Sequence, residues 1–209
     1  MSFALNPFIS VGTAGGVGGG GGDCDCTTAG SGGVYSTLAA AVLAGERHIR
    51  VVGPSTETQS VYFNDDYYIE LAENSTVNMG SNIFNWNGNY AVEIDGNGIL
   101  QYATTSGSLF YGNGNSSAKL TVEGINIQNS SSGTVCLTDI RYARFHDVIF
   151  DGNVSICGDY NLYGDCIYRN GTVKFESTAE NSHVAGAVYE NMLAINSGVN
   201  CIFSDALVG

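Results

Sequence analysis

Residues 145–150 read Phe-His-Asp-Val-Ile-Phe, and eighteen positions later residues 163–168 read Tyr-Gly-Asp-Cys-Ile-Tyr. In both, an aromatic precedes an aspartate corner, and the chain then runs apolar, apolar, aromatic. The same outline surrounds the pair as Val122-Glu-Gly-Ile-Asn-Ile127, Val184-Ala-Gly-Ala-Val-Tyr189 and Gly198-Val-Asn-Cys-Ile-Phe203. Each run has a Gly, Asp or Asn at the bend, the residue types that tolerate left-handed backbone. The first apolar position after each bend falls at Ile125, Val148, Cys166, Ala187 and Cys201, at intervals of 23, 18, 21 and 14 residues. Irregular spacing near 20 fits a coiled sheet in which each turn supplies two or three short strands and like positions stack at about 4.8 Å. A sandwich or up-and-down barrel would instead need longer strands joined by two-residue hairpins, and few clean Asn-Gly hairpins occur.

Working outward, short strand-like runs separated by Asn/Gly/Asp/Ser turns begin at His48: Ile49–Val52, Tyr68–Leu71, Thr76–Met79, Ala91–Ile94 and Leu120–Val122. From residue 34 the chain has length for eight or so turns, on the order of 40 Å. Ahead of them, Ser36–Gly45 reads as one short helix with Ser36 as N-cap and Gly45 as its stop. It is apolar on nearly every face, so it must lie against something. The expected fold is all-β: a single-stranded parallel β-helix, 34–209, closed at one end by that helix.

Residues 1–33 form a separate class. Phe3, Leu5, Phe8, Ile9 and Val11 make a short apolar stretch, followed by Gly15, Gly16 and the run Gly18–Gly22. That composition describes an adhesive segment on a flexible tether, able to bury its apolar side chains in a partner's groove. The opening lacks a basic n-region and a long apolar h-region, so no secretory signal is expected.

The chain has 209 residues, 20 acidic and 7 basic, for a net charge of −13. Nothing so acidic could neutralise a run of phosphates, which excludes nucleic acid as a partner. No apolar run approaches the length of a membrane span. Of six cysteines, Cys136, Cys157, Cys166 and Cys201 lie in strand-like runs and are expected to be reduced core residues. Cys24 and Cys26 are too close-set and isolated for structural zinc. The three histidines match no metal-ligand spacing, and no nucleophile elbow, phosphate loop or dinucleotide fingerprint is present. No cofactor or metal is expected.

The densest group of chemistry-bearing residues is Asp139-Ile-Arg-Tyr-Ala-Arg-Phe-His-Asp147. Alternation puts Arg144, His146 and Asp147 outside and Phe145 inside. With Arg141 and Asp165, these are candidate glycan contacts. Asp147 and Asp165 occupy equivalent corners one turn apart, a spacing that glycosidase carboxylates could use, although corner aspartates also bond locally to backbone. Tyr62, Tyr67, Tyr68, Tyr90, Tyr102 and Tyr111, with Phe84 and Trp86, divide between internal stacking and an outward face suited to sugars or a subunit interface.

The run from 34 to 71, the helix followed by GERHIRVVGPSTET and then YYIELAENSTV, resembles the opening of a pectin-lyase-like right-handed parallel β-helix. That family includes polysaccharide lyases and hydrolases, and also bacteriophage tailspikes, fibres and other surface proteins. The tethered arm is more similar to the virion proteins. The resemblance implies a non-enzymatic structural protein on the virion surface, as capsid decoration, cement, tail fibre or spike. It further implies a homotrimer, held through the arm to a major capsid or tail protein and free to meet host surface glycan. A depolymerising tailspike using Arg144, Asp147 and Asp165, and a bacterial surface adhesin, are the alternatives.

Overall fold

The computed structural model describes residues 26–103, 107–131, 136–176 and 181–190, and the backbone of three strands between 194 and 208. The anchoring residues Phe3, Leu5, Phe8, Ile9 and Val11, together with Cys24 and Cys201, lie outside the described residues.

The chain opens with β1 (Thr27–Ala29) and a helix, α1 (Leu38–Leu43), and then coils. The first three turns contribute β2 (His48–Val51), β3 (Ser55–Thr56) and β4 (Val61–Phe63); β5 (Tyr67–Leu71), β6 (Thr76–Asn78) and β7 (Phe84–Trp86); and β8 (Ala91–Gly96), β9 (Ile99–Tyr102) and β10 (Ser108–Tyr111). The next two contribute β11 (Lys119–Glu123), β12 (Asn126–Asn129) and β13 (Cys136–Thr138), then β14 (Arg144–His146), β15 (Ile149–Asp151) and β16 (Val154–Ile156). The last complete turns hold β17 (Leu162–Gly164), β18 (Ile167–Arg169) and β19 (Thr172–Phe175), then β20 (His183–Ala185), β21 (Val188–Glu190) and β22 (Ala194–Asn196). An eighth turn begins with β23 (Ile202–Ser204) and β24 (Leu207–Val208).

Every third strand pairs with its equivalent in the next turn, always parallel. This makes sheets of nine, eight and seven strands, led respectively by β1, β3 and β4. The molecule is therefore a parallel β-solenoid with three strands per turn. Turn length varies: Phe145 pairs with Tyr163, eighteen residues on, whereas Ile94 pairs with Val122, twenty-eight on.

The bends use the expected backbone. Gly124, Asp147, Asp165 and Gly186 all have positive φ, between 51° and 73°. Ile125, Val148, Cys166 and Ala187, the residues after them, are all buried in one core. The fifth run is corrected. Ile202 pairs with His183 and Leu207 with Val188, so Phe203-Ser-Asp-Ala-Leu-Val208, not Gly198–Phe203, aligns with the other four. Two apolar–x–apolar patterns fall within one turn there, and an interval of 14 residues is too short to complete a turn.

The interior is filled by columns of stacked rings. Phe63, Phe84 and Phe110 follow one another at 5.8 and 5.3 Å between centroids. Phe150, Tyr168 and Tyr189 do so at 5.0 and 5.1 Å. Tyr67, Tyr102, Phe84 and Trp86 are core residues, whereas Tyr62 and Tyr68 face outward.

The helix is shorter than the sequence implies, and its N-cap is Thr37, not Ser36. The Thr37 hydroxyl accepts from the Ala40 N–H at 3.1 Å. Glu57, buried beneath the helix, accepts from the Leu38 and Ala39 N–H groups at 3.0 and 2.9 Å, and the Ser55 hydroxyl donates to it. At the other end Gly45 takes a φ of 93°; Gly45 N–H donates to Val42 and Glu46 N–H to Ala41, the paired bonds of a Schellman stop. The helix packs on β4, the first strand of its sheet, covering an edge that would otherwise present unpaired backbone. Order also begins earlier than residue 34, because β1 pairs with β2 inside the stretch assigned to the arm.

Two cysteine expectations are corrected as well. Cys136 and Cys157 sit on successive turns beside the β13–β16 pairing with Cα atoms 5.6 Å apart, and they form a disulfide. Their proximity depends on the pairing register, which cysteine count alone does not reveal. Cys26 is disulfide-bonded too. Cys166 is free and buried, and burial pushes its thiol up to about 12, so it is inert at neutral pH.

Candidate functional site

Strand β14 alternates as expected: Phe145 enters the core, while Arg144 and His146 face out. Because the strands are parallel and in register, each outward residue belongs to a column running along the solenoid axis. The His146 column carries Arg50, Glu70, Asp95, Glu123 and His146 on five successive turns. Three carboxylates thus stand in line between a guanidinium and an imidazole. Arg50 Nε lies 3.2 Å from Glu70, and His146 Nδ1 lies 3.8 Å from Glu123.

Like charges on adjacent strands repel, and the titration directions follow. Partial burial holds the Asp95 carboxyl above its usual range, reinforced by Glu123 and opposed by a 2.6 Å hydrogen bond donated by the Tyr68 hydroxyl. Glu93, on the neighbouring column, is raised by burial and then by Asp95 and Glu123. Burial and the Asp95 contact in turn raise the Tyr68 hydroxyl.

At the bend after β14 the imidazole meets both corner aspartates. His146 Nδ1 is 3.1 Å from Asp147 and Nε2 is 3.3 Å from Asp165. The ring lies against Gly164, where a Cβ would stand 3.1 Å from its Cδ2, so glycine leaves the space the ring uses. The two aspartates therefore contact an imidazole placed between them. A protonated His146 can donate to both carboxylates, which ties successive turns together. Glu123, His146 and Asp147 also bring three ligand atoms within 4.8 Å of one another on the exposed surface.

Arg141 and Arg144 belong elsewhere. They lie at the entry to β14, at the opposite end of the strand from His146, so the structure divides the expected group in two. Arg144 pairs with Thr121, which places Tyr142 beside Lys119 on the preceding turn. Ser116, Ser117, Lys119, Thr121, Tyr142 and Arg144 line an open groove of about 430 Å³. On the next turn Tyr160 occupies the position of Tyr142, and the two rings stack at 5.4 Å and 20°. The Arg141 guanidinium sits 5.9 and 5.5 Å from the two ring centres and pairs with Asp159 at 3.2 Å.

Lys119, Tyr142 and Tyr160 were not singled out by sequence. The available signal was the tyrosine two residues before each of the strands Arg144–His146 and Leu162–Gly164. It becomes legible only once those strands are known to pair.

Fold and surface together define a parallel β-solenoid whose interior is filled among the described residues, with the candidate site residues on outward columns and bends. Compared with protein-family models, curated proteins and solved structures, the chain matches none.

Proposed function

We propose that this chain is a non-enzymatic structural protein of a bacteriophage virion, displayed on the particle surface as capsid decoration or cement, or on the tail as a fibre or spike. Residues 1–33 attach it, with Phe3, Leu5, Phe8, Ile9 and Val11 entering a groove on a major capsid or tail protein. The observation carrying the reading is the filled solenoid interior: residues along the axis pack on one another, leaving recognition and assembly to the outside. The Cys136–Cys157 cross-link between turns supports it, because disulfides persist in oxidising surroundings such as a particle surface. The pectin-lyase-like resemblance and right-handed winding belong to the same proposal, as does association of three parallel copies through solenoid faces.

The test is particle assembly with the full chain and with a chain lacking residues 1–22, which removes the apolar stretch and the glycine run but keeps β1 and Cys26. The full chain should be incorporated and the shortened one lost from purified particles, while light scattering gives both the same oligomeric state. Equal incorporation of both would overturn attachment through the arm, and loss of trimers on shortening would overturn assembly through the solenoid.

A further inference from the structure

His146 makes contacts that a neutral ring cannot satisfy alone. Its Nδ1 lies 3.1 Å from an Asp147 carboxylate oxygen and 3.8 Å from one of Glu123, and its Nε2 lies 3.3 Å from Asp165. A neutral imidazole carries one N–H and one lone pair. Whichever nitrogen holds the hydrogen, the other turns its lone pair toward a carboxylate oxygen. Two acceptors facing each other at that distance repel, so a positive centre belongs between them: a second proton or a metal ion.

The surrounding charge favours the metal ion. Three carboxylates converge on the ring, and a single added proton leaves two of their charges unmatched. Among the described residues, no lysine or arginine pairs with Glu123, Asp147 or Asp165; the five that form ion pairs do so with other carboxylates.

The two sides of the ring also differ. At Nδ1, Glu123 comes from β11, His146 from β14 and Asp147 from the bend that follows, and their ligand atoms lie within 4.8 Å of one another. One nitrogen and two carboxylate oxygens thus surround a common point. At Nε2 stands Asp165, from the next turn. A histidine that binds metal through one nitrogen commonly gives its other N–H to a carboxylate, which fixes tautomer and ring orientation. Gly164, opposite His146 in the register, leaves the ring its space. Sequence spacing could not display this set, because Glu123 and His146 are 23 positions apart and meet only through strand pairing.

We propose that Glu123, His146 and Asp147 bind a divalent metal ion of the zinc class, with Asp165 as the positioning residue that holds the Nε2–H. An imidazole nitrogen suits zinc, whereas calcium and magnesium take oxygen ligands. Glu123 and Asp147 are exposed, which leaves the remaining coordination positions to water. The ion bridges β11 and β14 at the outer surface, adding a link between turns to their backbone pairing. The site belongs to the chain's own surface and does not depend on attachment to a particle.

The test is isothermal titration of the full chain with Zn²⁺ and, separately, with Ca²⁺, without reductant so that the disulfides persist. One Zn²⁺ per chain should bind, and Ca²⁺ at least about tenfold more weakly. H146Q, E123Q and D147N should each weaken zinc binding at least about tenfold; D147N keeps a residue that accepts the left-handed backbone at that bend. H48Q, which alters a histidine on β2, should bind like the parent. Bound Co²⁺ gives a second readout: its visible bands should be lost in H146Q. D165N leaves the ligand set intact, so it should keep those bands while weakening zinc binding about tenfold. Equal zinc binding by the parent and H146Q would overturn the proposal, as would unchanged affinity in both E123Q and D147N. Calcium binding as tight as zinc would overturn the nitrogen-centred site. Absence of zinc uptake at neutral pH would assign the positive centre to a second proton and overturn the proposal too. Parent-like affinity in D165N would overturn the positioning role of Asp165.

Discussion

Tyr168 and Glu57 show how differently two buried polar side chains can be accommodated. The Tyr168 hydroxyl is buried in the ring column between Phe150 and Tyr189 and has no hydrogen-bond partner among the described residues. Its desolvation raises the hydroxyl pKa well above the usual value and carries a standing cost of about 1–3 kcal/mol. Phe150, its equivalent one turn earlier, makes the same stack without the oxygen. Y168F should therefore leave stability unchanged or raise it by about 1 kcal/mol in denaturant unfolding. A loss of that size would instead reveal a hydrogen bond to the hydroxyl. Glu57 is only 4% exposed but receives two backbone N–H bonds and a hydroxyl bond at the start of α1. E57A strands the Ala39 N–H and the Ser55 hydroxyl, while the Leu38 N–H keeps the Ser55 oxygen at 3.1 Å, and should cost about 3 kcal/mol, with E57Q intermediate because one acceptor oxygen survives. Equal stability of E57A and the parent in the same unfolding experiment would show that the helix does not depend on this carboxylate.

Strands and bends differ in how openly the sequence displays them. The corners at Gly124, Asp147, Asp165 and Gly186 were legible because positive φ restricts residue choice to a few types. Alternation likewise placed Phe145 inside and Arg144 outside, since strand side chains have a period of two. Contacts between turns were not legible, because turn length ranges from 18 to 28 residues and fixes which residues become neighbours. The candidate site was consequently half visible: Arg144 and His146 were identified, but their separation into two groups, and the arrival of Lys119 and Tyr160, depended on register. The Cys136–Cys157 bond was hidden for the same reason. It closes a loop of 21 residues between β13 and β16, for which chain-entropy reasoning gives about 3 kcal/mol. C136S/C157S should lose about that much in denaturant unfolding, and reductant should shift the parent's unfolding midpoint by more than the double variant's, which keeps only the Cys26 disulfide. A reductant-insensitive parent midpoint, matched by an unchanged midpoint in the double variant, would show that the cross-link adds nothing to the stacking.

Across the whole molecule, a net charge of −13 works against compaction, and the repulsion is concentrated where parallel register aligns carboxylates. Asp95 and Glu93 have raised folded-state pKa values, each caused first by burial and then by neighbouring acids; the Tyr68 hydrogen bond offsets part of the Asp95 shift. A carboxyl whose pKa is higher folded than unfolded binds protons more readily in the folded chain. Stability therefore falls as pH rises through the window from the ordinary carboxylate range, about 4, to the raised value, and it returns on acidification. Asp65, lowered chiefly by the Asp66 backbone N–H, and Glu176, lowered chiefly by Lys174, act oppositely. Their stabilisation is present above the ordinary carboxylate range and is lost as pH falls through their depressed values. The two pairs thus act in different windows. Above the ordinary carboxylate range the raised groups, with Asp139 raised by burial among them, govern the carboxylate contribution. E93Q/D95N should melt higher than the parent at pH 7, and its advantage should shrink as the pH falls toward the ordinary carboxylate range. Melting temperatures of both proteins across that interval provide the measurement. A constant difference would mean that the aligned carboxylates are screened by solvent and that their register has no electrostatic consequence for the solenoid.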